Sequence, residues 1–221
     1  MNHDTNVTLA DLAARKPGAA QVFLLHGLDF CCKGRRPVSV ACAEKGLDPE
    51  AILAAVDEAA SLGTALTDWT ERPVDDLVRH IVEHYHARLR EQMPALVAMA
   101  ERVEVRHADK PSVPRGLAAH LARMQEAAFA HLEKEESGVF PQILHGAAAD
   151  CGGIVHALEH EHEEHGAALP RTRSLAGGLV PPPEACTTWR ALYLGLVQLE
   201  RELMEHIHLE NNVLFPRVLC R

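Results

Sequence analysis

Two stretches of this chain share a pattern that fits the interior of a helical bundle and little else. One runs His131-Leu-Glu-Lys-Glu135-Glu136-Ser-Gly-Val-Phe140-Pro141, the other His206-Ile-His208-Leu-Glu210-Asn-Asn-Val-Leu-Phe215-Pro216. The His, Glu, Phe and Pro of the first each recur 75 positions later in the second. Residues four apart stand one turn apart on the same helix face, so each stretch aims an imidazole and a carboxylate at one point. The preceding apolar positions say where that point lies. Leu117, Leu121, Met124 and Ala128 lead to His131 in steps of three and four, and Leu192, Leu196, Leu199 and Leu203 lead to His206. Both are core-facing stripes whose apolar seats are abruptly taken by His and Glu. Burying such groups unpaired costs several kcal/mol apiece, comparable when summed with the stability of a whole domain. A metal cluster offsets that cost.

The remaining punctuation predicts an all-α chain. Thr8 caps a short helix over residues 9–15, and a second runs to His26 with Gly27 beyond its end. A third follows Pro37 and stops at Gly46. Asp48-Pro49-Glu50 starts a fourth, ending near Leu62-Gly63. Residues 64–72, with Trp69, read as a linker, giving a small helical domain over 1–72 and a larger one over 73–221. The larger one begins with a long helix from Pro73, with the stripe Val78, Val82, His86, Leu89, Met93, Leu96 and a potential kink at Pro94. Further helices are expected over 115–139, over 153–169 with Pro170 as the stop, and over 184–214. Four long helices with short connections predict an antiparallel four-helix bundle.

The chain holds 15 His, and the repeat helps to choose among them. If two helices form each half, single His ligands should also stand about 75 apart, and His86 and His162 differ by 76. Both lie on their helix's apolar stripe. His84, His156, His160, His165 and His208 fall off the seams and are expected to be solvated or to sit behind the ligands. Glu136 and Glu161 stand beside chosen ligands and could assist them. His107 reads as a loop residue that could help orient a ligand near the bundle mouth. The ligand set is then His86, His131, Glu135, His162, His206 and Glu210. That is too many for one zinc. It suits two ions, each with two terminal His and bridged by both carboxylates, and this donor mixture favours iron or manganese. Positions would remain for an oxo or hydroxo bridge or a small molecule.

A formal charge of −9 argues against non-specific nucleic-acid binding. No apolar run reaches the roughly 20 residues of a membrane span, and the N-terminus lacks a signal-peptide pattern, so the expected location is the cytoplasm. Six Cys match neither a secreted disulfide framework nor a zinc CxxC pair. Cys42, Cys151, Cys186 and Cys220 read as structural or incidental. Cys31-Cys32 is unusual, because adjacent cysteines close only a strained ring. Lys33, Arg35 and Arg36 are expected to favour the thiolate. Thiol chemistry or iron handling, and two small hydrophobes buried in a turn, are both open for this pair.

At Leu28-Asp-Phe-Cys-Cys, His107-Ala-Asp-Lys-Pro-Ser-Val-Pro, Pro181-Pro-Pro-Glu-Ala-Cys-Thr-Thr-Trp189 and His206 to Pro216, the chain resembles the iron–sulfur cluster repair di-iron proteins, a branch of the hemerythrin-like proteins. The resemblance covers nearly the whole chain. It implies a small helical domain with paired cysteines and a bundle holding two iron ions on the six residues chosen above. It also implies a role in restoring iron–sulfur clusters damaged by nitric oxide or oxidants, with the damaged proteins as partners of a monomer or homodimer. Cys31 and Cys32 would then pass on iron or take up electrons. Lys33 stands where the family usually has glycine, and Phe30 where tyrosine is common. Two rival functions use the same ligands: reduction of nitric oxide to nitrous oxide, and reversible binding or sensing of O₂ or NO.

Overall fold

The computed structural model describes residues 3–62, 67–146 and 152–219. Among these, regular structure is helical, with an isolated bridge between Thr8 and Pro37. The expected helix stop at Gly63, residues 64–66 of the linker, Cys151 and Cys220 lie outside the described residues. The chain forms two compact units: Met1–Val78 with Met204–Arg221, and Arg79–Leu203.

The first unit opens with α1 (Leu9–Arg15), where the Thr8 hydroxyl accepts the Asp11 N–H at 3.0 Å and satisfies one of the orphan donors of the first turn. Gly18, at φ +77°, starts α2 (Ala19–Leu25), and a Cβ there would sit 2.7 Å from the Ala59 methyl. Only glycine allows that backbone and that approach. α3 (Val38–Lys45) ends at the left-handed Gly46, and α4 (Pro49–Leu62) starts where Asp48 accepts the Glu50 N–H. Leu9, Phe23, Leu28, Phe30, Val38 and Ile52 bury one apolar core, with Met204 packed against it. Each such side chain contributes roughly 1.5–3 kcal/mol. α5 (Val74–His80) closes the N-terminal part. The C-terminal part carries a π turn (Leu209–Leu214), whose last five-residue bond runs from the Phe215 N–H to the Glu210 carbonyl.

The second unit is an antiparallel four-helix bundle. It contains a π turn (Ile81–His86), α6 (Ala87–Arg106), α7 (Leu117–Lys134), a further π turn (Glu135–Val139), α8 (Phe140–Leu144), α9 (Gly152–Leu175) and α10 (Thr187–His208) as far as Leu203. Short connections over 107–116 and 176–186 turn successive helices back on one another. Arg88 pairs with Glu202 and Arg173 with Glu200 along the rim, each at 2.7 Å.

Two expectations are corrected. The first stripe buries Ile81 rather than Val82 ahead of His86, because the π turn inserts an extra residue and moves the register. Pro170 does not stop α9, which continues to Leu175. The main-chain bond lost at proline is outweighed there by burial of Leu169 and Thr172 and by the Arg173–Glu200 pair.

Candidate metal centre

In the bundle unit the sequence brings His86, His131, Glu135 and His162 together, all 2 % exposed or less. Two π turns position them, His86 as the last residue of one and Glu135 as the first of the other. His131 Nε2 lies 3.2 Å from Glu135 Oε1, one helical turn on. His86 Nε2 lies 3.5 Å from Glu135 Oε2, and His162 Nε2 lies 3.7 Å from Oε1. His162 Nε2 and His131 Nε2 are 2.8 Å apart. One donor atom each from His131, Glu135 and His162 falls within 4.8 Å of the others.

The opposite ring nitrogens decide what these atoms offer. His86 Nδ1 donates to Glu136 Oε1 at 2.8 Å, and Arg90 donates to the same oxygen at 2.7 Å. His131 Nδ1 donates to Glu161 Oε2 at 2.9 Å, with Lys134 on the other oxygen. Burial alone would raise both carboxyl groups. The bonds from Arg90 and His86 outweigh it at Glu136, and those from Lys134 and His131 outweigh it at Glu161, so both are held below the ordinary glutamate range. An ionised carboxylate only accepts, so Nδ1 carries the proton and, in the neutral imidazole, Nε2 keeps its lone pair toward Glu135. A carboxylate behind each imidazole is how a metal-binding His is oriented. The donor set fits a hard to borderline cation such as iron.

His84, His156 and His160 are exposed, while His165 is half-buried with its ring edge-on to His131 at 5.0 Å. An apolar cavity of about 240 Å³ is lined by Leu89, Ala128 and His165, each three residues from one of the three His.

In the first unit His206 and Glu210 are equally buried, with His206 Nε2 2.9 Å from Glu210 Oε1. His208, expected in solvent or behind the ligands, is buried against the Phe30 ring at 5.7 Å. Burial pushes its imidazole down to about 4, against a smaller opposing pull from the Phe30 main chain. The cysteine loop packs on the same π turn. Asn212 Nδ2 donates to the Cys31 carbonyl at 2.9 Å, Asn211 Nδ2 reaches that carbonyl at 3.4 Å, and Arg35 donates to the Asn211 carbonyl at 3.3 Å. Gly34 makes the fit feasible, since a Cβ there would lie 2.2 Å from the Phe30 carbonyl and 3.1 Å from Asn212 Nδ2. Lys33 needs no such room, and its N–H joins that of Cys32 on Asp29 Oδ1.

Cys31 and Cys32 are not joined in a disulfide; their sulfurs lie 3.6 Å apart, gathered with Asp29 into a small donor cluster. The expected activation by neighbouring cations is not found at Cys31. The hydrogen bond with Cys32, burial, and the charges of Cys32 and Asp29 all push its thiol well up. Arg35 is spent on Asn211, and Arg36 on Glu44 and the Lys33 carbonyl. Spacing gives no hint of Asn211 and Asn212. Their signal was position alone, directly after a candidate ligand. Among the described residues no helix is long and apolar enough to cross a membrane.

Residues 77–218 match the hemerythrin HHE cation-binding domain, and residues 5–60 match a domain of unknown function. The chain is 43 % identical to the iron–sulfur cluster repair protein YtfE of Escherichia coli O157:H7 over 212 residues, 96 % of each chain. It is 42 % identical to YtfE of Yersinia pseudotuberculosis serotype O:1b over 214 residues, 97 % of each. A further relative is YtfE of Citrobacter koseri, 42 % identical over 212 residues and 96 % of each chain.

Proposed function

We infer the function from one premise: this chain belongs to the hemerythrin-like family of iron–sulfur cluster repair proteins. It binds iron through its helical bundle and helps to restore iron–sulfur clusters damaged by nitrosative or oxidative stress. In the finer reading, His86, His131, Glu135, His162, His206 and Glu210 hold two iron ions, with Glu135 and Glu210 as the bridging carboxylates. The observation that carries this is Glu135, fully buried, with the Nε2 atoms of His86, His131 and His162 at 3.2–3.7 Å. The second His–Glu pair, repeated 75 residues on, supports the remaining two ligands. Bound there, iron supplies Lewis acidity and a reversible change of valence.

The chain's own residues hold and release that iron. Glu136 and Glu161 fix the His86 and His131 rings by their Nδ1 protons, so each ring meets the cation without reorganising. The six residues would hold two iron ions with few protein ligands for each, so iron could pass to a damaged cluster as cargo. The Asp29, Cys31 and Cys32 cluster is the proposed transfer point for iron or electrons. Small uncharged molecules such as NO or O₂ fit the apolar cavity beside Leu89 and Ala128. The setting is the cytoplasm, the partners are damaged iron–sulfur proteins, and 1–72 and 73–221 are the domains.

The test is anaerobic reactivation of an iron–sulfur enzyme inactivated by nitric oxide. Iron-loaded protein should restore more activity than equal ferrous iron, and Glu135→Ala should restore no more than free iron. Equal recovery from free iron would overturn the reading. Nitrous oxide measured over the same samples separates repair from nitric oxide reduction.

A further inference from the structure

The loops closing one end of the bundle unit carry a further thiol, outside the Cys31–Cys32 cluster. Cys186 is exposed and immediately precedes α10, its carbonyl accepting the Arg190 N–H at 3.0 Å. His107 Nε2, from the loop after α6, lies 3.2 Å from its sulfur. The pair is braced from several sides. The His107 ring packs on fully buried Trp189 at a centroid distance of 5.1 Å. Ser112 donates to Glu184, tying the two loops together. Arg190 donates to the Ala185 carbonyl at 3.0 Å and holds the chain on the other side of the thiol. The sulfur therefore sits in a fixed place beside a base, unlike an incidental surface cysteine.

A cavity of about 500 Å³ opens directly on the pair. Its wall is mostly apolar, with Val103, Val105 and Thr188, and Arg102 and Arg106 border it together with one acidic residue, Glu101. A nucleophile beside a base within hydrogen-bond reach is the minimum for thiol attack. Two cations over an apolar wall select a small anion with an uncharged middle. Lys110's hydrogen bond holds Asp109 below the ordinary range and Ser112's does the same for Glu184, with His107's charge a smaller pull on both.

We propose that Cys186, with His107 as its base, is a thiol–disulfide exchange site for small disulfides of anionic thiols. The Cys186 sulfur attacks one sulfur of R–S–S–R, and its proton passes to His107 Nε2. The new bond joins Cys186 to that sulfur while the old S–S bond breaks. The second sulfur leaves as thiolate, collects the proton from His107 and departs as R–S–H. Cys186 is oxidised, one reagent sulfur is reduced, and no further electron acceptor is needed. Cys186 stands at the N-terminal end of α10, where the helix dipole favours negative charge.

The experiment uses full-length, iron-loaded protein, with glutathione disulfide and bis(2-hydroxyethyl) disulfide as anionic and neutral probes. Mass spectrometry of digested protein reads the mixed disulfide at each cysteine over time. Cys186 in the folded chain should react at least about tenfold faster than in the same chain unfolded at equal pH, and His107→Gln should remove most of that gain. Arg102→Gln with Arg106→Gln should slow the anionic probe about threefold and leave the neutral one unchanged. A folded-state rate no higher than the unfolded one overturns the site, whether or not His107→Gln folds. An unchanged rate in a folded His107→Gln overturns the base, and equal effects on both probes overturn the anionic class.

Discussion

The two His–Glu stretches follow one pattern and adopt one local backbone, yet what stands behind them differs. In both, an α-helical turn links His to Glu, and a π turn begins at or just before the Glu and ends ahead of Phe-Pro. After Glu135 come Glu136 and Ser137, and after Glu210 come Asn211 and Asn212. Glu136 faces back into its own bundle unit, accepting from His86 and Arg90. Asn211 and Asn212 instead hold the main chain of the cysteine loop. A repeated device thus keeps its His and Glu positions and spends the next two on different tasks. One copy orients the neighbouring His86 ring, and the other seats a thiol loop beside Glu210.

The hardest blow to that comparison falls on the shared position. Glu135→Ala and Glu210→Ala should each lower bound iron from about two per chain to one or none, since each carboxylate is proposed to serve both ions. Metal analysis with Mössbauer spectroscopy reads this directly. An unchanged iron count in either variant breaks the symmetry on which the comparison rests.

The divergent positions come next. Glu136→Gln keeps the shape but removes the charge that fixes the His86 Nδ1 proton, and Glu161→Gln does the same to His131. Each should weaken iron retention about 10–100-fold against a competing chelator. Asn211→Ala with Asn212→Ala should leave iron retention within about twofold of wild type. It should raise the alkylation rate of Cys31 several-fold and cost roughly 1–3 kcal/mol of stability, the usual range for two lost hydrogen bonds. If the Asn pair released iron as readily as Glu136→Gln, the two halves would be doing the same work.

Much of this was legible in residue order. The His–Glu spacing, the apolar seats before it and the constant offset point to a buried polar cluster in a helical bundle, because helical periodicity is a local property. The caps of the small helices were legible for the same reason, as Thr8 and Gly46 show. The π turns were not. A spacing of four residues looks identical whether the next bonds close at four or at five, and Phe-Pro reads as a helix stop. The choice between solvent and burial for His208 was left open because its partner, Phe30, lies in a distant segment that periodicity cannot reach. The raised Cys31 thiol was missed for a related reason. Three nearby cations in sequence predicted activation, but Arg35 and Arg36 are engaged elsewhere and Asp29 faces the thiols.

The smallest predicted effect concerns Pro141 and Pro216, where the two halves should respond alike. Returning from five-residue to four-residue bonding skips one main-chain carbonyl, and proline, which has no N–H to give, stands at that step. Each proline therefore marks where the change of register costs least, directly after Phe140 or Phe215, whose N–H closes the last π bond onto Glu135 or Glu210. On this account proline permits the π turn, while the pull of the buried Glu toward its ligand position enforces it. Pro141→Ala and Pro216→Ala should then keep full iron content and lose under about 1 kcal/mol each, chiefly from greater freedom in the unfolded chain. Thermal unfolding of the iron-loaded variants measures the loss. Should either variant shed iron as Glu135→Ala does, the proline itself would be forcing the turn, and the carboxylates would be following the backbone.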